Sequence, residues 1–87
     1  MRISNAKCRE FVDNLMPFKS NNLSGIKSSI YVVYSYGWYP LWAHINGQWY
    51  GHNSKYSATT SVHKTKSRPS AKNIIMLDNV QLLRDKI

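Results

Sequence analysis

The chain has 87 residues, 13% of them aromatic, and sets 12 Lys and Arg against four Asp and Glu for a formal charge of +8. That length supports one hydrophobic core and a single domain over 1–87, with no second domain. A lone cysteine, Cys8, excludes an intramolecular disulfide and cysteine-only zinc sites, and no apolar run approaches the roughly 20 residues that cross a bilayer.

Met1 is followed by Arg2-Ile3-Ser4-Asn5 rather than by an apolar run with a small-residue cleavage site, so no secretory leader is expected and the expected compartment is the cytoplasm. A helix is predicted from about Asn5 to Met16. Ser4 is its candidate N-cap, Ile3 and Cys8 have the spacing of a hydrophobic staple, and Pro17 ends it. Cys8, Phe11, Val12 and Leu15 fall on one face and form the packing stripe. Lys7, Arg9, Glu10 and Asp13 are then solvated. Lys19 to Gly25 is polar and turn-rich and reads as a loop.

Beyond it the period changes from helix to strand. Ser29 to Tyr36 is rich in β-branched and aromatic residues, with Ile30, Val32, Tyr34 and Tyr36 on one face and Tyr31 and Val33 on the other, which predicts a central strand. Gly37-Trp38-Tyr39-Pro40 reads as a turn, and Leu41 to Ile45 as the next strand. Asn46-Gly47 predicts a type I′ hairpin turn, because both central residues of that turn need positive φ. The third strand is then Gln48 to Gly51, with Ile45 facing Gln48, His44 facing Trp49 and Ala43 facing Tyr50. One face would carry Trp42, His44 and Trp49, the other Leu41, Ala43, Ile45 and Tyr50.

His52 to Ala71 is dense in hydroxyl and basic groups with little to bury, and reads as an extended loop or one short helical turn. Asn73 to Leu77 is either a fourth strand, followed by a helix capped by Asp78 or Asn79 with Val80, Leu83 and Ile87 inward, or part of one helix beginning at Ala71. The predicted fold is α+β: a small antiparallel sheet of three or four strands, built as a meander of hairpins, with an N-terminal helix and a short C-terminal helix.

Charge is distributed unevenly along this pattern. Glu10, Asp13, Asp78 and Asp85 are the only acids, so no carboxylate lies between Asn14 and Leu77, while Lys19, Lys27, Lys55, Lys64, Lys66, Arg68 and Lys72 do. Such a field attracts polyanions, although lysine also serves solubility. The expected contact region is the basic segment, through Lys55, Tyr56, Thr59, Thr60, His63, Lys64, Lys66 and Arg68, with Trp38, Tyr39 and Trp42 as aromatic contacts. Hydroxyls beside ammonium groups suit phosphate, and exposed aromatic rings stack on unpaired bases. The competing reading places most of these aromatics in the core. No phosphate-cradling glycine loop, nucleophile elbow or central carboxylate pair is present, so no catalytic residue, cofactor or metal site is expected. An enzyme would have to use His44, His52 or His63.

Four strings carry a resemblance: Tyr31-Val32-Val33-Tyr34-Ser35-Tyr36-Gly37, Tyr39-Pro40-Leu41, Trp49-Tyr50, and Lys55-Tyr56-Ser57-Ala58-Thr59-Thr60-Ser61-Val62-His63-Lys64. Together they resemble small, mostly uncharacterised proteins of bacteriophages and mobile elements. The resemblance implies a binding protein that engages DNA, RNA or a host nucleoprotein machine, with anti-CRISPR-type inhibition as one form. A protein-only interaction or regulatory module forming a homo-oligomer is the alternative, and a small histidine-dependent enzyme the second.

Overall fold

The computed structural model describes residues 3–87; Met1 and Arg2, on which the leader reading begins, lie outside them. The N-terminal helix starts as a 3-10 turn at Asn5–Lys7 and continues as α1, Cys8–Asp13. It stops three residues before the expected Met16. Leu15 takes φ 53°, Leu15 N–H donates to Val12 O at 3.0 Å and Met16 N–H to Phe11 O at 2.9 Å. Those two bonds are the Schellman closure, here built on a leucine. The turn leaves Met16 O free to accept the Tyr31 hydroxyl at 2.7 Å. Ser4 precedes the helix in extended conformation, but its side chain makes no cap bond.

The segment expected as a loop is a hairpin instead. β1, Phe18–Ser20, and β2, Leu23–Lys27, pair antiparallel around Asn21-Asn22, with Asn22 at φ 61°. Phe18, Ser20, Leu23 and Gly25 are buried, so the period of 2 is present, carried partly by a serine and a glycine. β3, Tyr31–Ser35, is central, with Val32 and Val33 buried on opposite faces.

β4, Tyr39–Ile45, begins two residues earlier than expected, since Tyr39 and Pro40 are in the strand and the turn is 36–38. Tyr36 and Gly37 supply the positive φ of that turn. Register slips between Val33↔Trp42 and Tyr34↔Pro40, leaving Leu41 as an extra residue. This bulge lets an interior strand hold a proline, which cannot donate to the ladder. It also re-aims Leu41, which packs in the same core as Trp42 and not with Ala43 and Ile45.

Asn46 and Gly47, at φ 51° and 80°, join β4 to β5, Gln48–His52, in the expected register. The segment after β5 contains α2, Ala58–Lys66, a nine-residue helix where a loop or single turn was expected. β6, Ile74–Leu77, then pairs parallel with β5, and α3, Val80–Lys86, follows with Asn79 Oδ1 accepting from Leu82 N–H at 3.0 Å. The C-terminal segment is therefore strand plus helix, not one helix.

Among the described residues the fold is α+β with six strands in sequential order and three helices, two or three strands more than expected. One face of the sheet packs Tyr31, Val33, Trp42 and Trp49 under Cys8 and Val12 of α1. The other packs Val32 and Ala43 under Leu83 of α3. No helix among the described residues is long and apolar enough to cross a membrane.

Candidate functional site

α2 docks through a polar stripe. Ser57 caps the helix, its Oγ accepting from Thr60 N–H at 3.1 Å and donating to Thr60 Oγ1 at 3.0 Å. Thr60, His63 and Ser67 recur at helical spacing and are all buried. His63 Nδ1 is 2.8 Å from the buried Ser35 Oγ, and Ser67 Oγ donates to His63 O at 2.7 Å. Every buried side-chain nitrogen and oxygen among the described residues has a hydrogen-bond partner, which is what permits a stripe of this chemistry inside.

The next contacts bind the helix to Trp42. The indole Nε1–H donates to Lys64 O at 3.1 Å, while Lys64 Nζ and the Arg68 guanidinium lie 5.7 and 5.3 Å from the ring centroid. Lys64 Nζ also donates to His52 O. Burial, with Arg68 nearby, pulls the Lys64 ammonium below its ordinary pKa. His52 is fully buried, with Nε2 2.8 Å from Pro40 O and Nδ1 accepting from Ser54 N–H at 3.2 Å.

These positions correct part of the expected contact set. Trp42 is 1% exposed, and Tyr39, Thr60 and His63 are also buried, so their side chains hold the fold together and present no surface. In the string that carried the resemblance, Ser57 caps α2, and the buried Thr60 and His63 with the half-buried Lys64 seat it on the sheet. Lys55, Tyr56, Thr59, Lys66, Arg68 and Trp38 remain exposed, and Lys64 is half-buried.

Burial also lowers the pKa of His52 and His63 below 6.5; the Pro40 hydrogen bond partly offsets this at His52, and Lys66 adds to it at His63. The folded chain therefore takes up protons at these two rings only at lower pH than the unfolded chain, whose histidines titrate near about 6.5. Stability is thus expected to be full above that pH and to fall as pH drops through it, by up to about 1.4 kcal/mol per pH unit for each ring. Urea midpoints on either side of pH 6.5 check this, and a flat acid limb would contradict it.

The exposed groups gather in two clusters joined by α2. At its N-terminal end Trp38, 50% exposed, and Tyr56, 56% exposed, meet edge to face with centroids 5.2 Å apart. Tyr39 lies beneath both, 5.6 Å from Trp38 and 5.2 Å from Tyr56. The Arg84 guanidinium is 5.9 Å from both the Trp38 and Tyr39 rings. At the C-terminal end Arg9 donates through Nε to Arg68 O and through Nη2 to Thr65 O, each at 3.0 Å. Asn5, Ala6, Arg9 and Lys66 line a cleft of about 270 Å³ between α1 and α2. The nearby acid, Asp13, accepts from Ser70 N–H and Oγ at 2.7 Å each.

No family model, curated protein or solved structure matches this chain. Sequence reasoning missed Arg9 and Arg84. Arg9 read as a solvated helix residue, and Arg84 is 28 positions beyond Tyr56 in α3 with no local signal. Among the described residues no three His, Cys, Asp or Glu gather as a metal ion would require.

Proposed function

We propose that this chain is a non-enzymatic nucleic-acid-binding protein that takes an unpaired strand across α2. The observation that carries this reading is the exposed Trp38–Tyr56 corner at one end of a helix whose other end gathers Arg9, Lys66 and Arg68. Nine helical residues span about 14 Å. Aromatic faces stack on bases of any sequence, and cations alongside track the phosphates. The resemblance to small bacteriophage proteins adds a setting: engagement of a host nucleoprotein, with anti-defence inhibition as one form.

Binding of a labelled single-stranded oligonucleotide is expected to weaken steeply with salt. Each neutralised phosphate contributes about −0.7 to the logarithmic slope, so contacts from Arg9, Lys55, Lys66 and Arg68 give roughly −3. Lys66→Glu with Arg68→Glu is expected to reduce that slope by roughly 1.4. A purified protein that shows no salt-dependent binding, and that instead forms a discrete homo-oligomer, would favour the protein-only alternative. Pull-down from cell extract with and without nuclease separates free nucleic acid from a nucleoprotein.

A further inference from the structure

The opposite end of the sheet holds a second polar cleft, built where the β2–β3 and β4–β5 turns come together. It has a volume of about 240 Å³ and is lined by Lys27, Ser28, Ser29, His44, Asn46 and Gly47, with Leu15 of the α1 closure as one wall. Sheet register explains the grouping. Lys27 pairs with Tyr31, Tyr31 with His44, and His44 with Trp49, so the four side chains form one cross-strand row on one face. Tyr31 and Trp49 are buried in that row, while Lys27 and His44 bracket Tyr31 from either side.

His44 is half-buried, its ring 5.0 Å from Trp49, and since no buried side-chain nitrogen among the described residues lacks a partner, its ring nitrogens, which bond to no described residue, are open to solvent. His52 and His63, by contrast, are both hydrogen-bonded. None of Glu10, Asp13, Asp78 and Asp85 lines the cleft. Lys27, Ser28, Ser29, His44 and Asn46 therefore line a common space with no carboxylate to oppose an anion. We propose that this cleft is a binding pocket for a phosphate monoester, with Lys27 supplying charge and Ser28, Ser29 and His44 supplying donors. A tetrahedral dianion takes donors from several directions at once, which a lining drawn from three strands and two turns provides; lysine serves it as a point charge and hydroxyls as directional donors.

The pocket is separated from Trp38 and Tyr56 by the length of β3, five residues or about 17 Å, so it is distinct from the aromatic corner and α2. The test is a titration of the full chain with inorganic phosphate, followed by amide NMR. Saturable shifts are expected at Ser28, Ser29, His44 and Gly47, persisting in Trp38→Ala. Lys27→Gln and Ser29→Ala, both at exposed positions that leave the core intact, are expected to weaken binding at least tenfold. Shifts that never saturate, that spread over all the lysines, or that survive Lys27→Gln unchanged would overturn the proposal. A pair of oligonucleotides with and without a 5′-phosphate then identifies the source. Tighter binding of the phosphorylated strand, lost in Lys27→Gln, assigns the pocket to a strand terminus. Equal binding of the two, with saturable inorganic phosphate, assigns it to a free phosphate compound.

Discussion

Trp42→Ala is expected to remove about 3–5 kcal/mol of folding stability, the usual cost of emptying a large aromatic from a core. A domain of this length has roughly 4–13 kcal/mol in all, so the variant should be largely unfolded at modest denaturant. Trp42 joins the two halves of the structure: it lies at the centre of β4, its Nε1–H holds the α2 backbone at Lys64, and Lys64 and Arg68 cover its ring. Gly51 leaves the space beside the indole that a Cβ would fill. Gly51→Ala should therefore destabilise through the same ring without touching any charge. Urea unfolding measures both. Trp42→Phe is expected to fall between wild type and Trp42→Ala, since it retains apolar volume and loses one hydrogen bond worth about 1 kcal/mol. A small Trp42→Ala effect would show that α2 is held without the indole, by the His63–Ser35 bond and the Arg9 and Lys64 contacts.

Trp38→Ala and Tyr56→Ala are each expected to weaken binding of a single strand by about 1–3 kcal/mol, on the order of 5- to 150-fold. Their cost to stability should stay below that of Trp42→Ala, because both rings are half exposed and each loses two aromatic contacts worth about 0.5–1.5 kcal/mol apiece, with the Arg84 contact in addition at Trp38. The two effects should be less than additive, since the rings touch each other. Tyr56→Phe separates stacking from hydrogen bonding by the phenol: near-wild-type affinity is expected if the ring face is what matters. Fluorescence anisotropy at fixed salt reads all three. Wild-type binding by both alanine variants, with the fold intact, would remove the aromatic corner from the interface and leave charge alone as the source of affinity.

The two tryptophans illustrate how far local sequence reaches. Trp38 and Trp42 are four positions apart in the same aromatic segment, yet one is half exposed and the other is inside. The difference comes from the positive-φ turn at Tyr36 and Gly37 and from the bulge at Leu41, which together set where β4 begins and which way its residues face. Neither feature follows from alternation, because a bulge breaks the alternation on which the reading rests.

The elements legible in the sequence were those whose cause is local. Asn46-Gly47 determined the hairpin and its register through the φ that its turn demands, and two-sided apolar character marked β3 as central. Pro17 and the apolar stripe announced α1, although its end was set by Leu15 in a conformation that leucine seldom takes. Tertiary structure decided what depends on a distant partner. α2 is buried through Thr60, His63 and Ser67, and a hydroxyl or imidazole goes inside only where a partner such as Ser35 waits, 28 residues away. β2 likewise forms because β3 supplies a pairing edge to a segment that is itself polar, and β1 then pairs on β2. Both exposed clusters join residues far apart in the chain, Arg84 with Trp38 and Arg9 with Arg68, since a surface is assembled by packing and not by neighbourhood in sequence.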